Sequence, residues 1–207
     1  MPVHLVDHPL VQDALLTLRD ARTPPETFRR AAARAALVLA AEAMRDLPQK
    51  AAAVQTPLGP ATGSRVDGEV VVVPVLRAGL GMLEPVLTLF PCARVGHIGL
   101  QRDERTAVAS QYYARLPHPL EKSYVLLIDP MLATGGSAAA GLELLRDAGA
   151  SNVRLVCIVA AREGIELVTR RFPDVPIYTP AIDRELNDRK FIVPGLGDFG
   201  DRLYGTE

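Results

Sequence analysis

The chain has 207 residues, of which 48% are hydrophobic and 23% are charged. These proportions exclude an intrinsically disordered chain and are typical of a globular domain with room for a substantial core. Lysine and arginine number 23 and aspartate and glutamate number 24, so the formal net charge is −1. That balance gives no overall attraction to nucleic acid or to an anionic membrane.

Two helices are predicted in the first 50 residues. Apolar side chains recur at helical spacing from Pro9 to Arg19, and a proline is accepted in the first turn of a helix. Thr23 stands three residues before Glu26, as in a capping box, and opens an alanine-rich helix that we expect to continue until Pro48 stops it. We interpret residues 1–50 as a helical addition that packs on the sheet or on another subunit.

Three apolar runs predict strands that are buried on both faces, because none of them alternates between apolar and polar residues. They are Val70 to Leu76, Tyr124 to Ile128, and Arg154 to Ala161. The predicted helices that follow them are Leu80 to Phe90, where Pro85 should cause a kink or a late start, Ser137 to Ala148, and Gly164 to Phe172. This order predicts an α/β fold with a doubly wound, mainly parallel sheet, in which ligands bind beyond the carboxyl ends of the strands.

The remaining segments carry weaker signals. Residues 51–68 are predicted to combine strand and loop, residues 107–119 to form a hairpin or a flap, and the tail after Pro180 to be irregular. The two cysteines, Cys92 and Cys157, belong to no C-x-x-C pair, and Cys157 is expected to be a buried thiol. The N-terminus has no signal-peptide pattern and no apolar run approaches the roughly 20 residues of a membrane helix. We therefore expect a cytoplasmic protein.

The segment from Asp129 to Ser137 is the strongest functional signal. A buried strand runs into an acid and a short loop, and Thr-Gly-Gly-Ser then opens a helix. Backbone N–H groups of such a loop and the helix N-terminus suit a phosphate, and the hydroxyls of Thr134 and Ser137 add donors. Asp129 can accept hydrogen bonds from sugar hydroxyls. A Walker loop is excluded because the chain contains no Gly-Lys-Ser/Thr, and a plain β-to-α turn with a helix cap is the alternative.

The block from Ile128 to Ser137 resembles the phosphoribosyl-pyrophosphate loop of the type I phosphoribosyltransferases. Most of that family place two acids before the loop, whereas this chain has Asp129-Pro130, which is similar to the uracil phosphoribosyltransferase branch. Residues 74–82 resemble the pyrophosphate loop of that branch, residues 96–104 its next strand and basic contact, and residues 182–202 its C-terminal uracil site. The four blocks lie in family order and span most of the chain after residue 70.

The resemblance implies that uracil and phosphoribosyl pyrophosphate are the substrates and that UMP and pyrophosphate are the products. The implied catalytic residues are Arg77, Arg102, Asp129 and Asp198. Guanidinium groups match phosphate oxygens two at a time, so Arg77 and Arg102 would stabilise the leaving pyrophosphate. Phosphoribosyl pyrophosphate would contact these four residues together with Pro130, Met131, Leu132, Ala133, Thr134, Gly135, Gly136 and Ser137.

The remaining ligands follow from the same resemblance. Uracil would be read by Ile192, Gly197, Asp198 and Phe199, largely through backbone groups. Mg²⁺ would arrive with the pyrophosphate, without a dedicated protein cage, and Asp198 is the candidate contact for it. Asp201 is expected to pair with Arg202 or to cap a turn.

The resemblance also implies one phosphoribosyltransferase domain over residues 1–207, with residues 178–207 as a base-binding hood. It implies a homodimer or a higher homo-oligomer, and GTP as a possible activator. Three residues depart from the family pattern: Gln101 replaces an aromatic residue, Arg105 an acid and Arg162 a proline. These departures bear on closure of the hood and on ligand affinity rather than on the reaction.

Two rival functions stay open at this point. A phosphoribosyltransferase for a purine or for orotate would share the loop, although orotate would require an additional cation near the base. A regulatory protein that senses UMP and binds RNA would share the fold, although the near-zero net charge and the lack of a basic stripe are unfavourable for RNA binding.

Overall fold

The computed structural model describes residues 3–102 and 109–206, except for the side chains of Arg102 and Ala109. The helices are α1 (Pro9–Arg19), α2 (Pro25–Ala43), α3 (Leu80–Leu89), α4 (Gly136–Asp147), α5 (Arg162–Arg171) and α6 (Phe199–Tyr204). The strands are β1 (Val3–Leu5), β2 (Gln49–Thr56), β3 (Gly59–Val66), β4 (Val70–Leu76), β5 (Arg94–Val95), β6 (His97–Arg102), β7 (Ala109–Arg115), β8 (Tyr124–Ile128), β9 (Met131–Leu132), β10 (Asn152–Val156), β11 (Val159–Ala161), β12 (Ile177–Thr179), β13 (Ile182–Asp183), β14 (Glu185–Leu186) and β15 (Ile192–Val193).

A mainly parallel sheet forms the centre of the molecule. Within the described residues it has eight strands, in the order β1-β12-β10-β8-β4-β6-β7, with β5 also paired to β4. All of these pairings are parallel except that of β6 with β7, which is antiparallel. Helices α1, α2, α3 and α6 pack on one face, and α4 and α5 pack on the other. The predicted α/β fold with a mainly parallel sheet is confirmed.

Strand β4 shows why its sequence is apolar throughout. Val70 and Val72 contribute to the hydrophobic cluster on one face of the sheet, while Val71 and Val73 contribute to the cluster on the other. Successive side chains of a strand point to opposite faces, so a strand covered by helices on both sides requires apolar residues at every position. Strands β4 and β8 have the bounds that their sequences predict.

The third predicted strand is divided in the structure. Residues 152–156 form β10 in the main sheet, whereas Val159–Ala161 form β11 in a separate three-stranded sheet of order β13-β11-β9. The break occurs where the backbone N–H groups of Ile158 and Val159 both donate to the carbonyl of Pro130, at 2.9 and 3.1 Å. A bond to a distant loop residue has no signature in the local sequence, so the single strand from Arg154 to Ala161 was wrong.

Several helix boundaries also differ from the prediction. Helix α2 has Pro24 at its N-cap without a side-chain cap, because the Thr23 hydroxyl donates instead to the carbonyl of Thr17 at 2.7 Å. The capping box was therefore wrong, and the helix ends at Ala43, ahead of the predicted stop at Pro48. Helix α3 begins at Leu80 with Pro85 inside it, so a late start is also wrong.

The N-terminal region packs on the sheet. Helix α2 buries Phe28 and a row of alanines in the same cluster as β4 and β8, which confirms the first of the two arrangements considered for it. The region also contributes a strand that was not predicted, since β1 pairs with β12 at the edge of the sheet. Strands β2 and β3 form an antiparallel hairpin whose residues are mostly exposed.

Two expectations from composition are also tested. None of the helices within residues 3–102 and 109–206 is long and apolar enough to cross a membrane. Cys157 is fully buried, and its burial raises the pKa of the thiol to about 12, so the expectation of an inert core thiol is confirmed. Cys92 is exposed.

Candidate active site

Arg77 and Asp129 follow directly after two neighbouring strands. Strands β4 and β8 are parallel, with Pro74 opposite Ile128, so both residues lie at the carboxyl edge of the sheet. A cavity of about 770 Å³ opens at this edge. Its lining joins three segments that are far apart in sequence. They are residues 75–78 at the end of β4, four residues after β8 (Asp129, Met131, Ala133 and Ser137), and residues 188–192 and 197–200 near the C-terminus, with Leu100 also present. The structure therefore brings together the blocks that the sequence singled out.

The loop after β8 is fixed by backbone contacts. Pro130 accepts the two N–H groups at the β10–β11 break, and the short strand β9 pairs in parallel with β11. Gly135 has a φ of +81°, a value that favours glycine, and helix α4 starts directly after it. A Cβ placed on Gly164, in α5, would lie 2.6 Å from the carbonyl oxygen of Ala133. This close approach of two backbones sets the path of the loop.

The polar groups of this loop are arranged at the start of α4. Gly135 is the N-cap and no side chain caps the helix, so the first N–H groups of α4 remain at the loop. The hydroxyl of Thr134 accepts from the N–H of Gly136 across a long 3.5 Å, and Ser137 lines the cavity. A turn with a threonine cap therefore stays an alternative description of this segment. The positive end of the helix dipole makes it suited to an anion.

Asp129 lies mostly within the protein, with 9% of its surface exposed. Its Oδ1 accepts from the N–H of Met131 at 3.4 Å, and its own N–H donates to the carbonyl of Val156 at 3.1 Å. Asp129 is thus anchored at the start of the loop after β8 and is one of the residues that line the cavity.

Arg77 also lines the cavity, and its side chain is 60% exposed. Its Nη2 lies 3.3 Å from Oδ1 of Asp201, and the hydroxyl of Tyr204 donates to its carbonyl across 3.5 Å. The expected partner of Asp201, Arg202, donates instead to backbone carbonyls, so that pairing was wrong. The pair of Arg77 with Asp201 places a guanidinium at the cavity mouth.

The C-terminal segment supplies the remaining wall. Asp198 is the N-cap of α6, where its Oδ1 accepts from the N–H of Asp201 at 3.0 Å. The ring of Phe199 is buried against the ring of Phe28, with centroids 5.1 Å apart. Gly197, Asp198, Phe199 and Gly200 of this segment line the cavity, and the ring of Phe199 is engaged in the core.

Three charged residues in the cavity lining were missed from the sequence. They are Asp188, Arg189 and Lys190, at the turn between β14 and β15. Asn187 shapes this turn, since its Oδ1 accepts from the N–H groups of Arg189 and Phe191, both at 3.0 Å. An asparagine followed by a charged triplet is a signal for a polar turn, but its position against the cavity depends on the fold.

Some of the predicted residues lie partly or wholly outside the described part of the chain. The backbone of Arg102 ends β6, but its side chain is among those that are not described, and Arg105 lies outside the described residues. Gln101 is an exposed residue of β6 whose carbonyl accepts from the hydroxyl of Ser110 at 3.3 Å. Arg162 is the exposed first residue of α5, a position that accepts proline as well as other residues, so this departure leaves the fold unchanged.

Comparison with known proteins gives the same result over almost the whole chain. The family model of the uracil phosphoribosyltransferases matches residues 5–206. The uracil phosphoribosyltransferase of Thermus thermophilus is 50% identical over 208 residues, covering 100% of both chains. That of Shouchella clausii is 48% identical over 206 residues, covering 99% of both.

Solved structures agree with the sequence relatives. A protein from Aquifex aeolicus superposes with a TM-score of 0.94 at 36% identity, covering 99% of each chain. The adenine phosphoribosyltransferase of Trypanosoma brucei shares the fold, with a TM-score of 0.58 at 16% identity over 87% of this chain and 84% of that one. With the sheet, the loop after β8 and the match over residues 5–206 in agreement, the chain belongs to the uracil phosphoribosyltransferase family.

Proposed function

We propose that this protein transfers the phosphoribosyl group of phosphoribosyl pyrophosphate to uracil, which yields UMP and pyrophosphate. The observation that carries the proposal is the single cavity lined by Arg77, by the loop from Asp129 to Ser137 and by the segment around Gly197. The reaction requires an anion site, a cation for a leaving diphosphate and a site for a base. These three segments supply one of them each.

The loop after β8 would hold the phosphoribosyl end. Backbone N–H groups of residues 130–137 and the uncapped N-terminus of α4 are suited to the 5′-phosphate. Asp129 would accept hydrogen bonds from the ribose hydroxyls, because its carboxylate lies in the cavity wall beside this loop. As the bond between C1 of the ribose and the pyrophosphate breaks, positive charge would develop on the ribose, and a fixed carboxylate nearby would stabilise it until the bond to uracil forms.

Arg77 would bind the pyrophosphate. Its guanidinium lies at the cavity mouth, 60% exposed, where phosphate oxygens can accept two parallel hydrogen bonds. Departure of pyrophosphate from the ribose places additional negative charge on the leaving oxygen, and a cation held there lowers the barrier. The same role for Arg102 stays a prediction from the sequence.

Mg²⁺ is compatible with the donors present. Asp129 and Asp198 are among the residues that line the cavity, and carboxylate oxygens are the ligand type that Mg²⁺ prefers. Within the described residues no group of three or more His, Cys, Asp and Glu side chains is arranged to hold a metal ion. We therefore propose that the ion enters with phosphoribosyl pyrophosphate and that Asp198 is its protein contact. Bound there, Mg²⁺ would offset the charge of the pyrophosphate.

Uracil would be read by backbone groups of Ile192, Gly197 and Phe199. Burial of the Phe199 ring against Phe28 supports this, because the side chain is engaged in the core and the peptide groups remain for the ligand. Peptide groups that pair with a carbonyl at position 4 of the base are left unpaired by the amine of cytosine, which disfavours that base.

We also propose a domain organisation, a cellular location, an oligomeric state and an activator for this protein. Residues 1–207 would form one domain, with residues 178–207 as a hood over the base. We propose a cytoplasmic homodimer or higher homo-oligomer, with GTP as a possible activator. Gel filtration with and without GTP tests the oligomeric state, and activity measurements with and without GTP test the activation.

The central test follows UMP formation from labelled uracil, phosphoribosyl pyrophosphate and Mg²⁺. Cytosine, orotate and hypoxanthine are assayed in parallel. We expect UMP from uracil and no nucleotide from the other three bases. The variant Asp129→Asn keeps the shape of the side chain and removes its charge, so we expect kcat to fall roughly a hundredfold.

Two results would contradict the proposal in different ways. Nucleotide formed from orotate or hypoxanthine rather than uracil would keep the reaction class and change the substrate. No nucleotide from any base, together with tight UMP binding and retention of RNA on a filter, would indicate the regulatory function.

A further inference from the structure

The carboxylate of Asp183 lies behind the base loop, defined here as residues 195–199. Its side chain is only 6% exposed. Its Oδ2 accepts from the N–H of Gly195 at 2.8 Å, and both of its oxygens accept from Arg19, at 2.7 and 2.8 Å. Arg19 also donates to the carbonyl of Gly195 at 2.8 Å. Both polar backbone groups at the first residue of the base loop are therefore bound to one buried ion pair.

A second arginine holds the next residue of the loop. Arg202 donates to the carbonyl of Leu196 at 2.6 Å, to that of Asp20 at 2.6 Å and to that of Leu18. Its guanidinium carbon lies 4.5 Å from the ring centroid of Phe28. Because the last carbonyls of a helix have no partner within it, the C-terminal end of α1 is a favourable place for a cation. The base loop is thus attached to the end of α1.

We propose that Arg19 and Asp183 are positioning residues for the base, acting through the backbone of the base loop. This inference rests on the proposed function, because it assigns the ion pair a role at the proposed uracil site. Helix α1 then contributes to base recognition from outside the cavity, since neither Arg19 nor Asp183 lines it.

The groups proposed to contact uracil are peptide groups of the base loop. Peptide groups have no rotamers, so the fit of a base to Gly197 and Phe199 depends on where the backbone itself lies. Gly195 and Leu196 are buried, Gly197 and Asp198 are exposed, and Phe199 is buried again, so the loop is attached at both ends and the ion pair fixes the first of them. A displacement of about 1 Å in such a site is enough to lower the rate strongly.

The two substrates should respond differently. The loop after β8 is held by β9, β11 and α5, and Arg77 follows β4. Asp183 is connected to that loop through the backbone pairing of β13 with β11, and a substitution of its side chain leaves this backbone pairing in place. Loosening the ion pair should therefore raise the KM for uracil and leave the KM for phosphoribosyl pyrophosphate nearly unchanged.

The test measures both KM values in Arg19→Met, Arg19→Lys and Asp183→Asn. For Arg19→Met and Asp183→Asn we expect the KM for uracil to rise about tenfold, because charge-assisted bonds that hold the base loop are lost. The KM for phosphoribosyl pyrophosphate should stay within about twofold. Arg19→Lys keeps the charge without the fork, so its KM for uracil should lie between those of the wild type and Arg19→Met. Arg34→Met, which breaks the exposed pair between Arg34 of α2 and Asp13 of α1, is the matched control and should leave both values unchanged.

The KM values separate positioning from folding. A smaller folded fraction lowers the apparent kcat but leaves KM unaltered, and melting curves of each variant give that fraction independently. An unchanged KM for uracil in Arg19→Met, or an equal rise in both KM values, would overturn the proposal. If Arg19→Met does not fold, Arg19→Lys and Asp183→Asn decide by the same criterion. Absence of UMP formation by the wild type would instead contradict the proposed function.

Discussion

Arg77 is in contact with Asp201, so a pyrophosphate that binds Arg77 as proposed would compete with a carboxylate for the same guanidinium. The two side chains are 60% and 24% exposed, and such partly solvated ion pairs contribute at most about 1 kcal/mol. Two parallel hydrogen bonds to phosphate oxygens outweigh this contact. The pair therefore keeps Arg77 at the cavity without holding it there against the ligand.

The geometry of Arg77 predicts a specific effect of Arg77→Lys. Lysine keeps the charge but lacks the planar fork, so one of two parallel bonds is lost and the KM for phosphoribosyl pyrophosphate should rise about tenfold. The KM for uracil should change little. Initial rates over a range of each substrate measure both values, with Arg22→Lys, at a side chain that is 90% exposed, as the neutral control. A rise confined to the KM for uracil would place Arg77 at the base instead.

At the scale of elements, the sequence predicted the strands whose residues are buried on both faces. Strands β4 and β8 were predicted with their observed bounds because both faces of each are covered and every position is apolar. The loop after β8 was predicted because glycines, hydroxyls and an acid stand in one continuous segment. In both cases the physical cause lies within a few neighbouring residues.

Elements that depend on distant partners could not be predicted in this way. The strand break before Val159 depends on the carbonyl of Pro130, which is 29 residues away from Val159 in sequence. The charged turn around Arg189 lines the same cavity as Arg77 and Asp129, and only the folded chain brings these distant residues together. The attachment of the base loop to Arg19 joins positions 176 residues apart.

The packing of α5 on the loop after β8 gives a prediction for Gly164→Ala. The added Cβ would lie 2.6 Å from the carbonyl oxygen of Ala133 and 2.9 Å from that of Leu132, and both are backbone atoms that cannot rotate away. We expect a loss of about 2 kcal/mol in the free energy of unfolding and a higher KM for phosphoribosyl pyrophosphate, because the loop must shift. Urea unfolding and steady-state kinetics measure the two effects.

A matched glycine is available as the control. Gly63 lies in the exposed hairpin, and a Cβ there would meet nothing within 4 Å. Gly63→Ala should therefore leave both the unfolding free energy and the KM unchanged. Wild-type kinetics in Gly164→Ala would show that the loop tolerates displacement, contrary to the close contact described here.

At the scale of the whole molecule, the N-terminal helices and the C-terminal segment share one core. Phe28 of α2 is fully buried against Phe199 of α6, and Arg29 donates to the carbonyl of Leu203 at 2.8 Å. Both rings belong to the cluster that also contains one face of β4 and β8. Residues from the two ends of the chain thus contribute to the same cluster, and we expect them to unfold together with the sheet.

This cohesion predicts that Phe28→Ala exposes a thiol on the other face of the sheet. Cys157 belongs to the cluster on the other face, and burial raises the pKa of its thiol to about 12. At pH 8 the thiol therefore stays protonated and shielded in the folded protein. When the sheet opens, its pKa returns towards the usual value of about 8.5 and the thiol can react. Losing a buried aromatic ring costs about 3 kcal/mol, which should speed labelling of Cys157 by a disulfide reagent about a hundredfold. The experiment uses a Cys92→Ser background, because Cys92 is exposed, and Leu16→Ala, at a side chain that is 73% exposed, should leave the rate unchanged. If Phe28→Ala lowers the urea midpoint while Cys157 is labelled at the wild-type rate, the helices unfold without the sheet and the two faces are not one cooperative unit.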